Sequence, residues 1–578
     1  MYKQVLDPVG GSLFYSALVA AIPLVTLFVL LGGLRLRAWV AAVIALAVAL
    51  VVAVAVYSMP VGQAMLAGSE GAAFGLFPIM WIVVNAIWIY NMTVRTGHFD
   101  VLRRSFSRVS DDQRIQAIVI AFCFGALLEA LAGFGTPVAI TAVMLIALGF
   151  KPIKAATIAL VANTAPVAFG ALAIPIITLD KITGLGVNHL GSTVGRQTPV
   201  LALFVPLALV FIVDGRRGLR QTWPAALVCG AVFGLAQFAT SNYVSVPLAD
   251  IVAALLAAVA LVGFLQIWHP HESYTEGDGR VGPAVAGGAA DPPNADPARR
   301  VEQPDTRVEQ PDTRVEQSDT RVEIARAYSP YLIITAIFVV ANIAAIKGVA
   351  PLKPGGSGTG LNAVTKLFAW PGLHIVSAKG DPLKTIVFKF DWLIAAGTLL
   401  LIAGLLTALA LRVTPGTALR TYGASLRQLA TAILTVALVL ALAFVMNGSG
   451  QTTTLGNWMA GAGAAFAFLS PIIGWLGVAV TGSDTSSNSL FGALQVTAAH
   501  KAGLSPVLMA AANSSGGVLG KMISPQNLAI AAAAVGLTDR QGEGELFRKV
   551  IGWSLLFLLV MCVLVYAQST SLLSWMVR

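Results

Sequence analysis

The feature that most constrains this chain is a recurring one: apolar runs long enough to cross a lipid bilayer. They extend from Ser12 to Leu34, Ala38 to Tyr57, Gly71 to Val94, Val246 to Trp268, Asp391 to Leu411 and Ile551 to Val565. A hydrocarbon core about 30 Å thick needs about 20 apolar residues in a helix. In that solvent every backbone amide must be paired internally, so only helices and closed barrels can span. A barrel would alternate in strands of about ten residues, and no such alternation is present. Only 11% of the residues are charged and 57% are hydrophobic, against about 25% charged in soluble domains. The expected fold is therefore an all-α polytopic integral membrane protein. We expect about 14 transmembrane segments, within a range of roughly 12 to 16.

The net charge of +10 invites a nucleic-acid partner, but its placement argues against one. Arg95, Arg103, Arg104, Arg108 and Arg114 fall in one loop, Arg216, Arg217 and Arg220 in a second, Arg412, Arg420 and Arg427 in a third. Basic clusters between apolar spans mark cytoplasmic loops. With Arg35 and Arg37 inside, the N-terminus faces outward and the alternation stays consistent through Arg427. Beyond Gly482 it weakens, because the apolar stretches become short and interrupted. The first run is too long for a signal-peptide core and reads as an uncleaved anchor. Cys123, Cys229 and Cys562 lie in apolar stretches with no paired spacing, so neither a disulfide framework nor a zinc site is expected.

One stretch, residues 269–328, is polar and of low complexity. It holds "RVEQPDT" twice, then "RVEQSDT" and a partial "RVE". Each unit has one valine and often a proline, too little for a coiled-coil seam, so it reads as a disordered cytoplasmic linker. It divides the chain into membrane halves 1–268 and 329–578. The halves share a pattern. "GFKP" (Gly149 to Pro152), "ANT" (Ala162 to Thr164), Gly170 and Pro175 in the first match "GLSP" (Gly503 to Pro506), "ANS" (Ala512 to Ser514), Gly520 and Pro525 in the second. By the loop alternation "GFKP" is inside and "GLSP" outside. The expectation is two inverted repeats with broken or re-entrant helices, centred on residues 125–175 and 481–537, an arrangement found in secondary transporters.

Three charged residues stand in these apolar cores. Glu129 lies in "FCFGALLEALAGFGTPVAI", just before Gly133, Gly135 and Pro137. A carboxylate at membrane depth costs about 2.5 kcal/mol or more and marks proton relays and ion paths. The plain alternative is a helix-end carboxylate held by backbone donors at the interface. Asp484 lies in "TGSDTSSNSLFG", among Ser483, Thr485, Ser486 and further polar residues. Such residues cap helices, and a helix start inside the membrane offers N–H groups to a carboxylate ligand. Asp484 itself suits a proton or cation; the alternative is an ordinary loop cap. Lys521 lies in "GGVLGKMISPQN" with Gly516, Gly517, Pro525 and Gln526 around it. It is a natural counter-charge for a carboxylate substrate, or a partner for Asp484 or Glu129, and snorkelling to the interface is the alternative. Asn163, Thr164, Asn513, Ser514 and Ser515 are candidate neutral donors to substrate, or ties between helices.

Enzyme signatures fail. "SSGGVLGKM" departs from the phosphate-binding loop at Ser515 and Met522. The histidines form no metal-binding motif, and no nucleophile elbow is present. No catalytic residue, metal or cofactor is expected.

At these residues a resemblance becomes specific. "LLEALAGFGTPVAI", "LVANTAPVAFGALAIPI", "GSDTSSNSLFGALQVTAAHKAGLSPVLMAAANSSGG" and "GKMISPQNLAIAAAAVGL" resemble the L-lactate permease family over nearly the whole chain apart from the linker. One departure is Ala130-Leu131, where the family pattern leads us to expect "EGAAGFG". The resemblance implies a multi-pass protein of the bacterial inner membrane, importing L-lactate and related 2-hydroxymonocarboxylates (D-lactate, glycolate) by proton symport. On that reading Glu129 or Asp484 carries the coupled proton and Lys521 faces the carboxylate. Partners are then a monocarboxylate, protons and the lipid bilayer, with no nucleic acid. The nearest alternative is a sodium-coupled transporter of another organic anion; a membrane-embedded enzyme and a channel are further ones.

Overall fold

The computed structural model describes the chain except residues 108, 134, 271, 276–319, 352, 384–385, 538–539 and 578. Most of the expected linker, with its heptapeptide repeats, lies outside the described residues. Its expected end is corrected. A helix begins at Arg321, not after residue 328, because Thr320 and Glu323 form a reciprocal capping box. The earlier repeats carry the same Thr-Arg-Val-Glu, but Pro311 follows one of them, whereas Ile324 and Ala325 continue this one.

Besides the short helices His98–Ser107 and Ala344–Lys347, the helices in chain order are α1 Leu13–Phe28, α2 Ala38–Ala55, α3 Val61–Phe74, α4 Trp81–Arg95, α5 Gln113–Leu131, α6 Thr136–Ala147, α7 Pro152–Ala162, α8 Gly170–Thr183, α9 Val187–Ala239 and α10 Ala249–Phe264. After the linker come α11 Arg321–Asn342, α12 Ala396–Ala410, α13 Pro415–Ser449, α14 Gln451–Met459, α15 Phe466–Thr481, α16 Asp484–Ala502, α17 Pro506–Gly520, α18 Pro525–Ala534 and α19 Arg540–Gln568. Four short strands stand outside the bundle. β1 Tyr2–Lys3 pairs in parallel with β3 Ile375–Val376, and β2 Lys366–Ala369 pairs antiparallel with β4 Val387–Phe390.

Among the described residues ten helices are long and apolar enough to cross a bilayer, and α7 with α8 makes an eleventh across a 64° bend. This count does not confirm the expected fourteen spans. α6, at 12 residues, reaches only about 18 Å, and α17 and α18, at 15 and 10 residues, are short as well. One long helix bends outside this scheme. α9 turns at Asp214 and Gly215 (φ +60°), where the Asp214 carboxylate accepts from Arg114 at 3.1 Å.

Arg114 was expected among exposed loop arginines. It is instead fully buried, held by Asp112 at 2.7 Å, by Asp214 and by the Glu272 carbonyl. Two carboxylates neutralise it, so it adds no free charge to that face. Cys123 and Cys229, unpaired in spacing, meet across α5 and α9 with sulfurs 3.4 Å apart as free thiols.

The core consists of two similar units. In the first, α5 ends at a break holding Gly133 (φ +50°) and Gly135 (φ +82°); α6, a turn at Gly149, and α7 follow, and a second break from Asn163 leads into α8. In the second, α15 ends at Gly482 (φ +75°); α16, a turn at Gly503, and α17 follow, and a second break at Lys521–Ile523 leads into α18. Both turns place a glycine at positive φ and start the next helix with proline. The two turns lie at opposite ends of the bundle. Gly149 sits beside Gln113, whose side chain donates to Leu148 O at 2.8 Å, and Lys154 donates to Val213 O, next to the arginines. α16 runs the other way. Asn488 reaches Pro175 O at 3.1 Å, and Gly492 packs on Leu179 and Thr183, toward the end of α8 that leads into the start of α9. The later helices fit the same frame. Phe14 and Trp458 rings lie 6.3 Å apart at one end, and Arg35 pairs with Glu543 at 3.5 Å at the other.

Candidate functional site

The breaks of both units converge on one cavity of about 430 Å³. Its charged wall is Glu129, Lys521 and Asp484. Glu129 rides the last turn of α5, and Lys521 opens the short 3₁₀ turn after α17. Lys521 Nζ donates to Glu129 Oε1 at 2.6 Å, with both side chains under a tenth exposed. Asn163, at the end of α7, donates to the other oxygen, Oε2, at 2.9 Å. This ion pair joins the first break of one unit to the second break of the other, although 392 residues separate its members.

Asp484 starts α16, with Ser483 as N-cap accepting from Ser486 N. Its Oδ2 accepts from Ser514 Oγ at 2.5 Å and from Asn488 at 3.5 Å. Its Oδ1 is buried with no hydrogen-bond partner among the described residues. Behind it runs a buried chain of polar side chains. Ser470 donates to Gln495 Oε1 at 2.8 Å, Gln495 to Asn513 Oδ1 at 3.1 Å, and Asn513 to Asn488 Oδ1 at 2.9 Å. Such a network is rigid when its members are paired, which fixes Asp484 against the cavity.

Of the sequence candidates, Glu129, Asp484, Lys521, Ser483, Thr485, Ser486, Gln526 and Gly133 line the cavity. Asn163 reaches it through Glu129, and Ser514 through Asp484. Others do not face it. Thr164 donates to Val161 O of its own chain turn, Asn513 belongs to the network behind, and Ser515 donates to Gln197 Oε1 of α9 at 2.6 Å. Successive helical residues diverge by about 100°, so one of Asn513, Ser514 and Ser515 meets Asp484 and its neighbours turn away. Gly516 and Gly517 are corrected as break residues: α17 continues through both. They are packing positions. A Cβ on Gly516 would overlap the Pro471 carbonyl, and one on Gly517 would overlap Asp484 Oδ1. Gly135, Pro137 and Pro525 do flank breaks; both prolines stand in the first turn of the helix that follows.

Several features escaped the sequence reading. Ala171, Leu172 and Ala173 form a left-handed turn at φ +43°, +56° and +60°, a conformation that costs L-residues roughly 1–2 kcal/mol each. It begins at Gly170, where a Cβ would stand 2.8 Å from Glu129 Oε1. Strained backbone of this kind clusters at functional sites. Gln428, Thr431 and Thr435 of α13 line the cavity's other side. Glu70 and Asp250 are further carboxylates buried in apolar helices, each with one oxygen unpartnered among the described residues. The criterion that singled out Glu129 would have found both.

A helical bundle whose broken helices meet at a buried charged cavity is the architecture of a membrane transport protein. The family model for L-lactate permease matches residues 16–572. The L-lactate permease of Salmonella typhimurium is 41% identical over the full length of both chains, and that of Bacillus subtilis 42% over the same extent. The glycolate permease GlcA of Escherichia coli is 42% identical over 98% of each chain. The chain belongs to the L-lactate permease family.

Proposed function

We propose that this protein imports L-lactate and related 2-hydroxymonocarboxylates, D-lactate and glycolate among them, across the bacterial inner membrane with one proton per anion. The observation that carries the reading is the Glu129–Lys521 pair at the cavity wall. Unloaded, the pair is neutral. A carboxylate entering beside Lys521 adds an uncompensated negative charge in a poorly solvated site, which is costly. Protonation of Glu129 removes that excess and releases Lys521 to the substrate. Anion and proton therefore enter together, and loading leaves the net charge of the site unchanged. Import of the anion alone would work against an inside-negative potential at about 2.3 kcal/mol per 100 mV; the proton cancels this.

The opposed directions of the two units support alternating access about this site. Ser483, Thr485, Ser486 and Gln526 are placed to hold the substrate's hydroxyl and second carboxylate oxygen. Asp484, with one unpartnered oxygen beside those hydroxyls, also favours a second reading in which a sodium ion is the coupled cation.

Labelled L-lactate uptake into proteoliposomes separates the two. An acid-outside gradient without sodium is expected to drive accumulation. Accumulation only with an inward sodium gradient would transfer the coupling to Asp484. No accumulation under either would overturn the substrate class.

A further inference from the structure

A second cavity, of about 640 Å³, lies at the opposite end of the bundle from the arginine loops. It meets the start of α4, the start of α12 and the end of α11. The far ends of these helices carry Arg95, Arg412 and Arg321 respectively. Its outer wall is formed by residues of the segment between α11 and α12, whose described residues include five lysines (Lys347, Lys353, Lys366, Lys379, Lys389) and two aspartates (Asp381, Asp391). Lysine surplus belongs on the cytoplasmic side when orientation alone sets it. Here it stands on the other side, so it answers to something else.

Two of those lysines line the cavity with one carboxylate between them. Lys389 pairs with Asp391 at 3.0 Å. Among the described residues Lys347 donates only to a neutral oxygen, Asn342 Oδ1, at 2.9 Å, while Asn362 donates to its carbonyl at 2.9 Å. Burial, and then the charge of Lys389, push the Lys347 pKa below that of an ordinary lysine. The cavity thus has an ammonium in excess, half-buried and fixed at its backbone.

The cavity also abuts the central one. Ile82 of α4 faces the outer cavity and Ile87 the central one; Ile177 and Ile174 of α8 divide in the same way. Along these helices the separations are about 7.5 Å and about 4.5 Å. These isoleucines form an apolar septum between the two spaces along α4 and α8.

We propose that the outer cavity is an entry vestibule that binds a small monocarboxylate at Lys347 and Lys389 before it passes the isoleucine septum to the Glu129–Lys521 site. This rests on the substrate class proposed above. The vestibule concentrates the anion and leaves the coupled step untouched.

The test is initial-rate uptake of labelled L-lactate by cells, which expose the outer face alone, for wild type, Lys347→Gln, Lys347→Arg and Lys347→Gln/Lys389→Gln. At low ionic strength KM is expected to rise about tenfold in Lys347→Gln, the low end of what a focused field supplies. Lys347→Arg is expected to keep the wild-type KM, and high salt to narrow the gap. Vmax reports intact folding and is expected within about twofold of wild type, since the septum and central site are unaltered. An unchanged KM at low salt, a loss confined to Vmax, or an effect indifferent to salt would overturn the vestibule. Failure of wild type to take up L-lactate would instead overturn the proposed function, so the two failures are distinguishable.

Discussion

Lys521 and Glu129 were legible because each is a charge in an apolar run, and Lys521 was readable as a partner for Asp484 or Glu129; which of the two it meets was not. The sequence offers no measure of which break meets which, and the partners lie in different halves of the chain. Gly170 shows the same limit more finely. Its place in the repeated pattern was visible, but its contact is with a side chain 41 positions earlier. The left-handed Ala171–Ala173 turn was invisible, since alanine and leucine avoid that conformation when local preference decides. A methyl at Gly170 must push the Glu129 carboxylate off Lys521 and Asn163. Gly170→Ala is therefore expected to lower L-lactate uptake about tenfold, on the scale of about 1–3 kcal/mol for overpacking. Normal expression with unchanged uptake would show that the carboxylate need not sit where it does. Removing the Ser514 hydroxyl leaves Asp484 with the single donor Asn488 at 3.5 Å. Ser514→Ala should impair transport, whereas Ser515→Ala, which severs only the Gln197 contact, should leave initial uptake rates close to wild type.

Among the elements, helices announced by long apolar runs were found. α6 and α12, at 12 and 15 residues, are shorter than the about 20 residues a bilayer-crossing helix needs, so the expected fourteen spans are not confirmed by helix length. The breaks were partly read. Gly133, Gly135, Pro137 and Pro525 do sit at them, whereas Gly516 and Gly517 belong to a continuous helix. Paired glycines permit a break and also permit close helix contact, and the sequence does not say which. The structure decides for contact, since α17 presses on α15 there. Gly516→Ala forces a methyl against the Pro471 backbone, which cannot move as a side chain would. We expect a lower midpoint of thermal unfolding in detergent, corresponding to about 1–3 kcal/mol; an unchanged midpoint would mean the two helices can part freely. The start of α11 carries a gentler prediction. Thr320→Ala removes a cap worth about 1 kcal/mol. Faster amide exchange at residues 321–324 is expected, with uptake unchanged.

At the scale of the molecule, the central cavity runs along α13 from Val436 to Gln428, one residue from Arg427, and reaches Ala38 beside Arg37. It is thus extended toward the arginine-bearing end. Three cysteines are present and all are buried, so an introduced thiol can be read against a quiet background. Gln428→Cys is expected to react with a membrane-impermeant thiol reagent in inside-out vesicles and not in intact cells; the reverse would invert the assigned orientation. The general plan of opposed units was legible because the Gly-x-x-Pro turns and the basic loops record direction along the chain. The meeting of those units was not, because it depends on packing between residues hundreds of positions apart.

The central claim is that the Glu129 proton is what ties anion entry to the pH gradient. Glu129→Gln tests it most directly, because glutamine resembles the protonated acid and leaves Lys521 free for substrate. In proteoliposomes the variant is expected to retain L-lactate exchange between equal pools on both sides and to lose accumulation driven by an acid-outside gradient. Gradient-driven accumulation at the wild-type level in Glu129→Gln would contradict the account and move the coupled proton elsewhere.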